Sequence, residues 1–306
     1  MQDGSKKAIT AAFFANLGIA VAKFAGFLIT GSAGLLAEAA HSLADTGNQA
    51  LLMLGGKRAR RPATEHHQFG FGTERYFWAF VVALVLFTGG GMFALYEGIQ
   101  KLIHPHAAEN IGVAIVILLA AVALESYSLF TAVTEAKRLK PADMSYWRFV
   151  RTAKQPELPV VLLEDVGAEL GLLLALFGVV MSKITDNARW DALGSIAIGV
   201  LLGVIAVILA IRMKALLIGE SATATDQNAV VDAITSAPLV NRLIHIRTLH
   251  LGPEELLVAV KVEFARDLTM AELAAAVDGV ERVVRSRVPT VGLIYIEPDL
   301  YRVAPA

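Results

Sequence analysis

Six stretches of this chain are apolar for about 20 residues or more, the length that crosses a bilayer as a helix. They fall at roughly 9–30, 33–55, 76–103, 111–136, 157–182 and 190–217. Several are longer than a span needs, which predicts tilt or extension beyond the lipid. The first follows Lys6 and Lys7, as a signal peptide would. Its apolar run is too long for a signal core and a second run follows at once, so it reads as an uncleaved first helix. After Arg212 the pattern changes. "DQNAVVDAITS" has helical periodicity, with Asp226 as the expected N-cap. "LIHIRTLHLG" and "ELLVAVKVEFA" alternate like two strands around a turn at Gly252-Pro253. "TMAELAAAVDGVERVVRSRV" is helical, with Thr269 as N-cap, and "VGLIYIEP" is a closing strand that ends at Pro298.

The expectation is therefore an α-helical membrane protein. A six-span bundle (residues 1–217) precedes a small α+β domain (218–306) of ferredoxin-like αββαβ order. Lys and Arg crowd before span 1, between spans 2 and 3 (Lys57, Arg58, Arg60, Arg61) and between spans 4 and 5 (Lys137, Arg138, Lys140, Arg148, Arg151, Lys154). The other loops hold few: Lys101, Lys183 and Arg189. The positive-inside rule puts both termini in the cytoplasm. The compact chain without a transit peptide suggests a bacterial-type inner membrane.

Composition sharpens this picture. The chain has 306 residues, is 56% hydrophobic and has a mean hydropathy of +0.58, too apolar for an ordinary soluble domain. A net charge of −1 offers no bulk attraction for nucleic acid. There is no cysteine, so disulfides and thiolate metal sites are excluded.

Ionisable groups in a bilayer core are costly and mark sites or pathways. In span 2, Glu38, His41, Asp45 and Asn48 follow one another at intervals of 3, 4 and 3, which puts them on one helix face. His41 and Asp45 are one turn apart and can reach one ion together. Span 5 carries Glu164, Asp165 and Glu169; Asp165 and Glu169 are also one turn apart, and Glu164 lies about 100° round from Asp165. Three acids in one span cannot all ionise in lipid without a cation or a proton. One His and several carboxylates from two helices suit a divalent cation for which protons compete. The plainer alternative is a His41–Asp45 pair that only locks helices together. Glu97 and Glu125 are pathway groups or satisfied core acids. His104 and His106 flank Pro105 in an outer loop and are expected to be exposed. The glycine run in "FTGGGMFAL" (87–95) reads as close helix packing. His245 and His250 sit in a strand pattern, where a satisfied or exposed role is expected.

"EAAHSLADTGNQ", "RRPATEHHQFGFGTERYFWA" and "DALGSIAIG" together resemble the cation diffusion facilitator family of divalent-metal transporters, and the resemblance covers nearly the whole chain. "HSLADTGNQ" with "LLEDVGA" is most similar to the branch typified by the animal zinc transporter nine. The resemblance implies that His41, Asp45 and Asp165 are transport-site ligands. The family's usual His four residues before that aspartate is Val161 here, which cannot ligate. Glu164 is the first candidate to replace it, Glu169 the second, and Asn48 or a water the third. Resemblance favours Zn²⁺ as substrate, but the oxygen-rich set also suits Mn²⁺, Fe²⁺ and Co²⁺. A second family site survives only as Glu65, His66 and His67, with Phe71 at the later His position. A dinuclear site in the soluble domain is not expected, because Lys261 and Tyr295 replace histidines and Glu297 alone matches an acid. The family implies a homodimer that exports a divalent cation in exchange for protons, without a bound cofactor. Two rivals remain: a membrane metalloenzyme, for which no HExxH-type motif is present, and a non-transporting metal sensor or scaffold.

Overall fold

A computed structural model gives the fold. It describes residues 3–105 and 110–302, with side chains for these except 3–15 and Leu139. His106 thus lies outside the described residues.

Each apolar stretch folds as a long helix: α1 (Asp3–Thr30), α2 (Ala33–Arg58), α3 (Glu74–Val85) running on into α4 (Phe93–Ile103), α5 (Ile111–Leu139), α7 (Glu157–Thr185) and α8 (Arg189–Ile218). Helices are the form in which a lone segment satisfies its own backbone in lipid. Among the described residues, Glu74–Ile103, Ile111–Arg138 and Arg189–Ile218 are long and apolar enough by themselves to cross a membrane. α1 contributes a shorter apolar stretch, Asn16–Thr30. α2 and α7 each bury ionisable residues, Glu38 and His41 on the first and Glu164 on the second.

Between α3 and α4 the chain does not break. It makes a π-helical segment, Leu86–Met92, over the glycine run. Close packing was the expectation for these glycines, and it holds. A methyl at Gly91 would stand 3.2 Å from the Gly203 nitrogen, and one at Gly199 only 2.8 Å from the Gly91 oxygen. The backbones of this segment and α8 therefore approach without side chains between them. The π geometry itself was not foreseen; such segments gather at functional sites. In the loop after α5, a short α6 (Tyr146–Thr152) is capped by Ser145, whose hydroxyl accepts from the Arg148 N–H. It seats Phe149 and Val150 against Ala132, Ala136 and Leu162.

The C-terminal region is a two-layer α+β domain: α9 (Ala224–Thr235), β1 (Val240–Gly252), β2 (Glu255–Phe264), α10 (Met270–Arg287) and β3 (Val291–Pro298). Sheet order is β1-β2-β3, with β1–β2 antiparallel and β2–β3 parallel. β2 alternates cleanly: Leu256, Val258, Val260, Val262 and Phe264 enter a core shared with Val230, Ile234, Val280 and Val284 from the helices. Thr269 caps α10 as expected, in a full capping box with Glu272. The N-cap expected at Asp226 is instead Thr223. Its hydroxyl accepts from the Asp226 N–H, and helix dihedrals begin three residues earlier than the periodicity suggested. The chain divides into two compact units, 1–57 with 76–214 and 58–75 with 215–306. Within the second, Gly72 lies against the Leu251–Gly252 backbone, where a methyl would stand 2.6 Å from the Leu251 oxygen. Arg75 pairs with Glu254 at 3.4 Å.

Candidate metal-transport site

α2 buries one face made of small residues (Ala33, Gly34, Ala37, Ala44) punctuated by Glu38, His41 and Asn48. The small side chains let neighbouring helices approach, which leaves the polar groups away from lipid. His41 is fully buried, and its Nε2 lies 3.5 Å from Asp45 Oδ2, one turn on. One further turn along, Asn48 Nδ2 donates to Glu164 Oε1 of α7 at 2.6 Å. α5 supplies hydroxyls to the same helix: Ser128 donates to Asp165 at 3.1 Å and Ser126 to Glu169 at 3.0 Å. Asp45 lies within electrostatic range of three carboxylates, Glu164, Glu125 and Asp165, and of the Lys23 ammonium.

Of the four expected ligands, His41 and Asp45 therefore stand side by side, Glu164 is held one turn away by Asn48, and Asp165 turns to Ser128. Among the described residues no three His, Asp or Glu side chains form a ready-made metal cage. Yet both His41 ring nitrogens, Asp45 Oδ1 and Asn48 Oδ1 are buried without a hydrogen-bond partner among those residues. Buried lone pairs left unmatched are costly and rare, and they accumulate here. Val161 packs into the apolar cluster of Phe149, Val150 and Leu162, so its position carries no polar role.

The other candidates separate clearly. Glu38 and Glu125 do not join His41; they flank Lys23 of α1, which is 1% exposed and lies 3.2 and 3.6 Å from them. Glu97 is half-buried, and His104 is exposed. Glu65, His66 and His67 are exposed, and the His67 ring stacks on Phe71 at 4.6 Å, with Arg61 over the same ring at 4.4 Å. His245 is exposed, while His250 is buried with its Nδ1 3.3 Å from the Gly252 oxygen. Lys261 pairs with Glu297 at 3.1 Å and Asp299 at 3.2 Å, so an ammonium sits on the acid once aligned with a metal ligand. Those two partners, Glu297 first, hold the Lys261 amine above its ordinary range.

Sequence reasoning missed two lysines that are buried among the described residues, Lys23 and Lys101. Lys101 was counted only as a helix-end charge, and Lys23 was passed over as part of an apolar run. Lys101 Nζ lies 2.8 Å from Asp191 Oδ2 and 2.8 Å from the Gly31 oxygen. Asp191 also accepts from Ser32 Oγ and from the Ala33 N–H, each at 3.0 Å, at the start of α2. An anion there satisfies an orphan N–H and complements the helix dipole. The available signal was a single basic residue within an apolar helix, which in lipid implies a partner.

The fold defines an integral membrane protein that buries ionisable side chains between apolar helices. Residues 9–218 match the cation efflux transmembrane domain, and the chain belongs to the cation efflux family, resembling its zinc transporter nine branch. It is similar to the "Proton-coupled zinc antiporter SLC30A9, mitochondrial" of Homo sapiens, 31% identical over 243 residues, which is 79% of this chain and 43% of that protein. It is 28% identical over 261 residues to "Metal tolerance protein C4" of Arabidopsis thaliana, covering 85% of this chain and 57% of that one. The chain thus spans only about half the length of these relatives. "Cation-efflux pump FieF" of Escherichia coli is 25% identical over 305 residues, 98% of this chain and 94% of its own. Among solved structures, a MamM C-terminal domain is similar over 26% of this chain and 94% of its own, at 19% identity and a TM-score of 0.24.

Proposed function

We propose that this protein is a secondary transporter that moves a divalent transition-metal cation, Zn²⁺ foremost, out of the cytoplasm in exchange for protons. The observation that carries the reading is the opposition of His41 and Asp45 on α2 to the Asn48-held Glu164 on α7, in a cluster that contains no lysine or arginine partner among the contacts described. Asp191 has Lys101, and Glu38 has Lys23, as a direct ammonium partner; Asp45, Glu164 and Asp165 have none among the contacts described and take theirs from outside. His41 offers a neutral ring nitrogen and Asp45 a carboxylate. Glu164 turns from Asn48, and Asp165 from Ser128, to complete the set. Each exchange trades a neutral hydrogen bond for a bond to a cation, which favours the turn.

Protons compete for the same lone pairs, so an ion can be displaced by acid on the far side. Alternating access around a buried site then converts a proton gradient into metal flux. One nitrogen among oxygens is a set that Mn²⁺, Fe²⁺ and Co²⁺ also tolerate, and they are the alternative cargoes. Basic loops support cytoplasmic termini, and similarity to the antiporter SLC30A9 supports the proton coupling. On this reading the protein is a carrier and not a hydrolase, it has no resident cofactor, and it works as a homodimer.

The test is reconstitution in liposomes with an imposed proton gradient and uptake measured for Zn²⁺, Mn²⁺, Fe²⁺, Co²⁺ and Cd²⁺. Gradient-driven flux of one metal supports the reading and identifies the cargo. Binding without flux for every metal would refute transport and favour a sensor.

A further inference from the structure

Lys23 holds its place through three oxygen groups. Its Nζ donates to Ser42 Oγ at 2.7 Å and to Glu38 Oε2 at 3.2 Å, and it stands 3.6 Å from Glu125 Oε1, beyond a good hydrogen bond. Beside it lies a narrow pocket lined by Asn16, Ser42, Asp45 and Glu125. Ser42 and Glu125 therefore belong both to the ammonium's surroundings and to the pocket that touches Asp45. His41 and Asp45 both lie within the field of the Lys23 charge.

Resting on the transport reading above, we infer that Lys23 is a tethered competitor of the cargo: a fixed ammonium that weakens metal binding at His41 and Asp45 and takes over Glu125 when the metal leaves. A carrier that held a divalent ion with three or four carboxylates and no opposing charge would bind it tightly and release it slowly. A permanent positive charge in the same low-dielectric space offsets part of that attraction. Glu38 fixes the ammonium: it is fully buried, its Oε2 accepts from Lys23, and its Oε1 has no hydrogen-bond partner among the described residues. Glu125, at 3.6 Å the more distant of the two carboxylates, lines the pocket as well and is the group that the ammonium and the cargo share. Lys23 is thus a positioning residue that sets the balance between affinity and turnover.

The test is Zn²⁺ flux into proteoliposomes, with KM and kcat measured separately. Lys23→Gln removes the competitor, so KM falls roughly tenfold and kcat falls with it as release slows. Glu38→Gln removes the ammonium's anchor but keeps its charge, so KM rises. Shifts of opposite sign are the signature, because general damage to packing moves both variants the same way. Lys23→Arg restores KM and kcat relative to Lys23→Gln, and the charge-matched Lys23→Gln/Glu38→Gln pair, which also serves if the single variant does not assemble, returns KM toward the native value. Shifts of the same sign, or none, overturn the inference. If the native protein shows no Zn²⁺ flux, transport itself fails. Calorimetric Zn²⁺ binding to the same variants in detergent then decides on Lys23: tighter binding by Lys23→Gln supports it, and unchanged binding overturns it.

Discussion

Two buried charge clusters in the same bundle have opposite bookkeeping. Around Asp191, both oxygens are matched: Lys101, Ser32 and the Ala33 N–H converge on it, and the ammonium's spare donor finds the Gly31 oxygen. Around Asp45 and Glu164 the matches are neutral and few, and buried lone pairs on His41, Asp45 and Asn48 stay unmatched among the described residues. A saturated cluster is a structural lock: removing one partner strands a charge in low dielectric. An unsaturated cluster stores demand for a cation, which suits a site that must fill and empty. The same residue types therefore serve two ends, and the count of partners tells them apart.

The comparison is most severely tested at Asp45. Asp45→Ala should lower gradient-driven flux by more than about a hundredfold, beyond what loss of an outer-shell residue costs, while the purified protein stays monodisperse and keeps its helical circular dichroism. Lys101→Met should do the reverse. It leaves Asp191 buried and unpaired, at a cost of about 3–5 kcal/mol, read as a lower midpoint in denaturant. Lys101→Met with Asp191→Leu should recover much of that stability. If Lys101→Met left stability untouched, the distinction between lock and site would collapse.

Asn48→Ala probes the middle ground. It frees Glu164 from its 2.6 Å hydrogen bond without touching a proposed ligand. Glu164 must leave that bond to reach the ion, so we expect roughly fivefold tighter apparent metal affinity, the worth of a hydrogen bond of about 1 kcal/mol that binding no longer breaks. The smallest effect belongs to the C-terminal domain, whose capping box has no part in transport. Thr269→Ala should cost about 1 kcal/mol. Hydrogen bonds from the Thr269 N–H and hydroxyl hold the Glu272 carboxyl below its ordinary 4.5. A lowered folded value means the stabilisation is complete above about 4.5 and fades as pH falls through the folded value. Thermal melts of native protein between neutral and acid pH should show that loss, and Thr269→Ala should show less of it.

How much of this was legible in the sequence depends on the range of the interaction. The positions of the long helices were, because a 20-residue apolar run is a local property. So were the β1 and β2 strands, from their alternation, and the α10 cap, from Thr269 followed three residues later by Glu272. The face formed by Glu38, His41, Asp45 and Asn48 followed from helical spacing, but not that Glu38 turns to Lys23 instead of joining the others. The Thr223 cap was missed because two threonines and an aspartate within four residues all suit the start of a helix. The π segment Leu86–Met92 was missed because nothing local marks it: the α8 backbone that Gly91 packs against is over a hundred residues on in sequence. Lys101 and Asp191 are 90 residues apart and Ser32 and Asp191 are 159 apart, so neither pairing leaves a local trace. The replacement for Val161 was left open between Glu164, Glu169, Asn48 and water. The geometry favours Glu164 as the group facing α2, with Asn48 as its holder and Glu169 turned to Ser126.

The most direct test of the central claim, that the unsaturated cluster holds the cargo, is X-ray absorption on the purified protein loaded with one equivalent of Zn²⁺. The account expects a single imidazole nitrogen with the remaining ligands oxygen, and loss of the imidazole signature in His41→Ala. Two or more imidazoles, persisting in His41→Ala, would place the ion elsewhere in the molecule and contradict the account.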